Sequence, residues 1–237
     1  MITATSLTKR YRRVNAVDGV SFTCEPGTVT GFLGRNGAGK STTLRMITGL
    51  TRPDAGRATV AGRPFSDLPN PARTVGTVFD AAAFHDGRTG RDTLQIACTM
   101  TGMPKARAER LLDAVGLSKE AGHRVGTYSL GMRQRLGLAH ALVGEPSVLI
   151  LDEPANGLDP EGIAWIRGQL RDFAARGGTV LLSSHLLAEV QATADHLIII
   201  DQGRIVASGT QRSLLNGTGQ TLEELFLALT AQKETVR

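Results

Sequence analysis

Gly34-Arg35-Asn36-Gly37-Ala38-Gly39-Lys40-Ser41-Thr42 is the stretch on which the reading of this chain turns. Glycines at 34, 37 and 39 let the backbone bend sharply and bring its N–H groups within reach of phosphate oxygens. Lys40 follows as a cation for the outer phosphates, and Ser41 as a hydroxyl able to hold a metal ion. Val29-Thr30-Gly31-Phe32-Leu33, just before, is apolar enough for a buried strand, and Leu44-Arg45-Met46-Ile47, just after, keeps helical spacing. The loop therefore joins a strand to a helix start, whose positive dipole end favours an anion. A plain glycine turn capping a helix would have no use for the Lys-Ser pair. All nine residues from Gly34 to Thr42 are expected to touch bound phosphate.

Around this loop the chain has the makings of a folded core. It has 237 residues, 41% hydrophobic and 21% charged, which is globular composition rather than that of a disordered chain. No apolar run has bilayer-crossing length (Leu197-Ile198-Ile199-Ile200 is strand length only), and the N-terminus lacks a signal-peptide pattern. A soluble chain is expected, with any membrane role supplied by a partner. Cys24 and Cys98 lie far apart without metal-ligand spacing and read as a reduced, cytosolic pair. The net charge is +5, yet only Lys9-Arg10-Tyr11-Arg12-Arg13 clusters, and 4% aromatic residues leave few platforms for stacking bases. Nucleic acid is not an expected partner.

The periodicity predicts two or three N-terminal strands with turns at Asp18-Gly19 and Glu25-Pro26-Gly27, then strands over 57–62 and 75–79. From Asp86 to Glu145 helices take over, one capped by Thr89, one opened by Pro104 and one following Ser129. Alternation of strand and helix then returns: strand 147–151, helix 160–176, strand 179–183, helix 186–194 and a strand pair at 196–200 and 204–208. An amphipathic helix over 221–229 ends the reading. The pattern is α/β, a parallel core interrupted by a helical insert, with an antiparallel patch near the N-terminus.

Val148-Leu149-Ile150-Leu151-Asp152-Glu153 is an apolar strand ending in two carboxylates. Ligands of open α/β sheets gather at the carboxyl ends of strands, where the Gly34 loop also lies. Asp152 suits a Mg²⁺ site, and Glu153, pointing the other way along the extended chain, is placed to polarise a water beyond the γ-phosphate. Together the two pieces describe a P-loop nucleoside triphosphate hydrolase core. Tyr128-Ser129-Leu130-Gly131-Met132 supplies a second helix start with anion-binding character, Ser129 as N-cap and Gly131 allowing close approach, and the chain has no obvious way to fold it onto its own Gly34 loop.

At these residues the chain resembles the ATP-binding cassette family. The resemblance implies that Ser129, Gly131 and Met132 clamp the γ-phosphate held by an opposite subunit. The family usually carries Leu-Ser-Gly-Gly-Gln there, so Tyr128, Leu130 and Met132 depart from it. It further implies that Asn156-Gly157-Leu158-Asp159 is the dimer-contact loop, with Asp159 near the nucleotide, that His185 after Val180-Leu181-Leu182-Ser183-Ser184 is the switch histidine, and that Tyr11 stacks on adenine. Catalysis would rest on Glu153, His185 and Lys40, and Mg²⁺ on Ser41, Asp152 and Asp80, the last standing where the family usually has Gln. His85, His123, His140, His196 and Trp165 read as packing residues.

The expectation is an ATP-binding cassette over 1–237: a core with β subdomain over 1–85 and 146–211, a helical subdomain over 86–145 and a C-terminal helical tail over 212–237. It would bind and hydrolyse ATP with Mg²⁺ as a homodimer or heterodimer of cassettes, driving a membrane-spanning permease from the inner face of the cell membrane. Asp80, the Tyr128–Met132 wording and Leu222-Glu223-Glu224-Leu225-Phe226-Leu227-Ala228-Leu229-Thr230 resemble antibiotic and peptide exporters. A cassette ATPase working on nucleic acid, translation or cofactor assembly, and a P-loop kinase, are the competing readings.

Overall fold

A computed structural model describes residues 1–79, 83–216 and 219–231. β1 (Ile2–Tyr11) and β2 (Val14–Cys24) form a hairpin, β3 (Val29–Leu33) runs into α1 (Lys40–Ile47), and β4 (Ala55–Val60) returns to the hairpin. β5 (Val75–Val78) precedes three helices, α2 (Gly90–Thr101), α3 (Ala106–Ala114) and α4 (Leu130–Ala141). Then come β6 (Val148–Asp152), α5 (Pro160–Ala175), β7 (Thr179–Ser184), α6 (Leu187–Thr193), β8 (His196–Asp201), β9 (Arg204–Gly209), α7 (Gln211–Leu215) and α8 (Leu222–Thr230). The strands make an antiparallel sheet of order β2-β1-β4 and a larger one of order β5-β6-β7-β3-β8-β9, parallel except for β9.

Alternation along the central strands explains why the layers hold. Phe32, Ile150, Leu181 and Ile198 face a core shared with Leu44 and Ile47 of α1 and with Leu7 and Val20 of the hairpin. Their chain neighbours Leu33, Leu149, Val180 and Leu197 face the other way, onto Ile166 and Leu170 of α5 and Val190 of α6. Both faces are covered, which is why these strands read as unbroken apolar runs. The helices α2–α4 pack around a third cluster including Leu94, Leu112 and Leu136. Cys24 and Cys98 are buried, one in the first cluster and one in the third. Among the described residues, no helix is long and apolar enough to cross a membrane.

One expectation needed correction. The N-terminal hairpin turns at Arg12 and Arg13, with Arg12 at φ 51°, and Asp18-Gly19 lies inside β2. A register shift between Leu7 and Lys9 absorbs that irregularity, and Asp18 is pinned from outside by the Arg204 guanidinium and by its own N–H to Gly203 O at 2.8 Å. α7, capped by Thr210, is a short 211–215 run with too few residues to show a helical period.

Register then fixes where the chemistry gathers. Asp152 pairs with Ser183 across β6 and β7, and Leu33 pairs with Ser184 across β7 and β3. The Gly34 loop, the two carboxylates and His185 therefore leave one edge of the sheet on three adjacent strands, as open parallel sheets place their ligands.

Candidate active site

Gly39 is the N-cap of α1 at φ 107°, a left-handed value that glycine takes without a Cβ penalty. A Cβ there would also collide with the Ala16 carbonyl of β2, so the hairpin seals the loop from one side. Gly39 offers no side-chain cap, and the first turn of α1 carries no acidic residue. Its leading N–H groups are thus left for an external anion. Lys40 is buried, and its Nζ donates to Gly34 O at 2.7 Å and Arg35 O at 3.3 Å while lying 3.3 Å from Glu153 Oε1.

Glu153 is not a continuation of the strand. Its φ is 51°, a left-handed value unusual for a residue with a Cβ. The conformation is held by its own N–H, which reaches Ser183 O at 3.2 Å and Ser183 Oγ at 3.1 Å. This turn, rather than strand alternation, separates the two carboxylates. Asp152 Oδ1 accepts the Ser183 hydroxyl, whereas Glu153 Oε2 meets His185 Nδ1 at 2.6 Å and the His185 N–H at 3.3 Å. Lys40, Glu153 and His185 thus form one polar line. A cleft of about 410 Å³ opens over it, with Asn36, Ser41, Thr42 and Asn156 also on its walls.

The Ser129 segment lies elsewhere. Ser129 Oγ accepts from Met132 N at 3.2 Å and so caps α4. With Leu130, Gly131 and Met132 it lines a separate cavity of about 370 Å³ that shares no residue with the first. Asp159 opens onto this second cavity, but its Oδ1 is taken by Gly162 N at 2.7 Å, so in this chain it caps α5. Tyr128 is buried in the helical cluster and donates to Glu120 O at 2.7 Å, which explains the departure from Leu: the side chain is a packing element away from the cavity. Arg135 lies 4.3 Å over the Trp165 ring and ties α4 to α5.

The remaining expectations meet the structure unevenly. Tyr11 stands 48% exposed beside the hairpin turn with Lys9 Nζ 5.6 Å from its ring, and it is not on the wall of the 410 Å³ cleft, where the hairpin contributes Ala16 instead. Asp80 lies outside the described residues. Ser41 is on the cleft wall, while half-buried Asp152 is not. Both are oxygen donors of the kind Mg²⁺ takes, and Mg²⁺ is ordinarily held by one or two carboxylates plus substrate phosphates. Among the described residues no three His, Cys, Asp or Glu side chains converge as an all-protein cage. The donor set fits Mg²⁺ on a nucleotide. Sequence reading passed over Ser183, Ser184 and Glu189, although hydroxyls ending a strand in register with Asp152 were a usable sign.

A family model described as ABC transporter matches residues 17–156, a span holding the Gly34 loop, Ser129 and both carboxylates. The bacitracin transport ATP-binding protein BcrA of Bacillus licheniformis is 41% identical over 209 residues, covering 87% of this chain and 68% of that protein. The Nod factor export ATP-binding protein I of Burkholderia pseudomallei (strain 1710b) is 40% identical over 212 residues, covering 87% and 70%. Among solved structures, an ATP binding subunit of an ABC transporter superposes with a TM-score of 0.88 at 30% identity, over 97% of this chain and 99% of that one.

Proposed function

Because this chain belongs to the ABC transporter family, as its ATP-binding and ATP-hydrolysing subunit, we propose that it powers export by closing, as a pair, on two ATP molecules. The observation that carries the proposal is the separation of the two cavities: the Gly34 loop and the Ser129 helix start line different clefts of one chain. A second cassette brings its Ser129, Gly131 and Met132 to the nucleotide held by the first. The division into a core over 1–85 and 146–211, a helical subdomain over 86–145 and a tail from 212 belongs to the same proposal. So does adenine stacking by Tyr11, whose exposed ring supports it, and a place for Asp159 at the pair interface.

Within each site the roles follow from the polar line. Backbone N–H groups from Gly34 to Thr42 hold the phosphates, and Lys40 exchanges its bonds to the Gly34 and Arg35 carbonyls for phosphate oxygens. Ser41 and Asp152, with Asp80 as a further ligand, would hold Mg²⁺, which would supply positive charge against the phosphates. Glu153 takes a proton from water as its oxygen attacks the γ-phosphorus and the bond to the β-phosphate oxygen breaks, leaving ADP and phosphate. His185, 2.6 Å from Glu153 Oε2, keeps that carboxylate aimed. ATP stabilises the closed pair because only that state completes its contacts.

The relatives named for bacitracin transport and Nod factor export support an exported cargo handled by a separate membrane-spanning permease. They lend nothing to a cassette acting on nucleic acid, translation or cofactor assembly. Affinity capture of the tagged chain from detergent-solubilised membranes is the test. A multi-span membrane protein should be retained through washing; ribosomes or DNA in its place would contradict the transport assignment.

A further inference from the structure

We propose that Glu189 is the positioning residue that holds His185 against Glu153, a role that rests on the reading of Glu153 as the base. His185 sits in the two-residue connection between β7 and α6, with Ser184, the last residue of β7, before it and Leu186 after it. One hydroxyl spans that turn: Ser184 Oγ accepts the Leu186 N–H at 2.9 Å. A hydroxyl has a single proton to direct, and here two acceptors compete for it. Glu189 Oε2 is at 2.9 Å and Leu186 O at 3.4 Å, so the carboxyl of Glu189 takes it. The Ser184 lone pairs are then free to face the Leu186 N–H, and the peptides on both sides of His185 are held. Only with that turn fixed do the His185 N–H and Nδ1 both reach the same Glu153 oxygen.

Glu189 is otherwise badly placed for a helix glutamate. Its Oε1 is buried without a hydrogen-bond partner, a cost that an outward-pointing side chain would avoid. Burial raises its pKa, the Ser184 bond opposes the rise and the charge of Glu153 adds to it. A carboxyl drawn towards its neutral form is one that glutamine can imitate, which provides a conservative control.

The experiment compares Glu189→Ala, Ser184→Ala, their double variant and Glu189→Gln by steady-state ATP turnover and by the ¹⁵N imidazole resonance of His185, assigned with His185→Gln. Glu189→Ala and Ser184→Ala should each lower kcat by about 10- to 100-fold with KM within about twofold, the signature of a misplaced group rather than lost binding. The double variant should be no worse than either single one, because both break the same chain of bonds. Glu189→Gln should keep the parent rate within about twofold. The His185 resonance should shift in both alanine variants and hold in Glu189→Gln. Parent kcat with an unshifted resonance in Glu189→Ala would overturn the assignment, as would additive losses in the double variant. Should Glu189→Ala not fold, Ser184→Ala decides: a shifted His185 resonance supports the chain of bonds and an unshifted one rejects it. The resonance needs no turnover, so it judges Glu189 even where Glu153→Gln proves fully active and the base assignment fails.

Discussion

Glu153→Gln should cut ATP turnover by about 10²–10⁴-fold while leaving ATP bound, the range a positioned general base supplies. The substitution keeps the side-chain size, and the backbone bonds from Glu153 N to Ser183 O and Oγ do not involve the side chain. An amide oxygen can still accept from the His185 N–H, so the line of contacts survives with its proton acceptor removed. Lys40 loses a charged neighbour 3.3 Å away, which frees its Nζ for phosphate, so affinity for ATP should hold or rise. Phosphate release and equilibrium nucleotide binding, measured on the same preparation, check both halves. Turnover at the parent rate would remove Glu153 from its role.

Lys40→Met should weaken ATP binding by about 10²-fold or more, because a charge-assisted bond to phosphate has no apolar substitute. Two effects on folding oppose each other. The variant leaves Gly34 O and Glu153 Oε1 without the buried ammonium, at about 1–3 kcal/mol for an orphaned polar group. It also spares the desolvation of a cation that is only 6% exposed, which offsets part of that cost, though Glu153 keeps its charge without its Lys40 partner. The offset is only partial, so the melting temperature should fall by several degrees while nucleotide affinity collapses. Titration with a fluorescent ATP analogue beside a thermal melt separates the two. Unchanged affinity with a lowered melt would make Lys40 a structural residue only.

Much of this was legible in the sequence because buried parallel strands advertise themselves. Val148 to Leu151 and Leu197 to Ile200 are covered on both faces, so their apolar runs are uninterrupted, and the polar residues that end them mark the active edge of the sheet. Thr89 could be read as a helix cap because a capping box is local: its hydroxyl takes the Asp92 N–H at 3.0 Å and Asp92 reaches back. What escaped reading is set by distant partners. Asp18-Gly19 has the composition of a turn, but its tie to Arg204 across 186 residues keeps it in a strand. The left-handed turn at Glu153 depends on Ser183, and the burial of Glu189 on the packing of α6 against the sheet. Asp159 shows the reverse case: a carboxylate before Pro160 is a helix cap by local rules, and that is the bond it makes.

Coupled ATP turnover depends on one arrangement, a nucleotide held by one copy and completed by the Ser129 helix of another. Sedimentation of the purified Glu153→Gln protein with and without ATP and Mg²⁺ tests it most directly. Single copies are expected without nucleotide and a stable pair with ATP, carrying one ATP per chain, with the pair lost again when Lys40→Met is added. A lone copy under all of these conditions, in a protein whose parent hydrolyses ATP at a rate per chain independent of dilution, would contradict it.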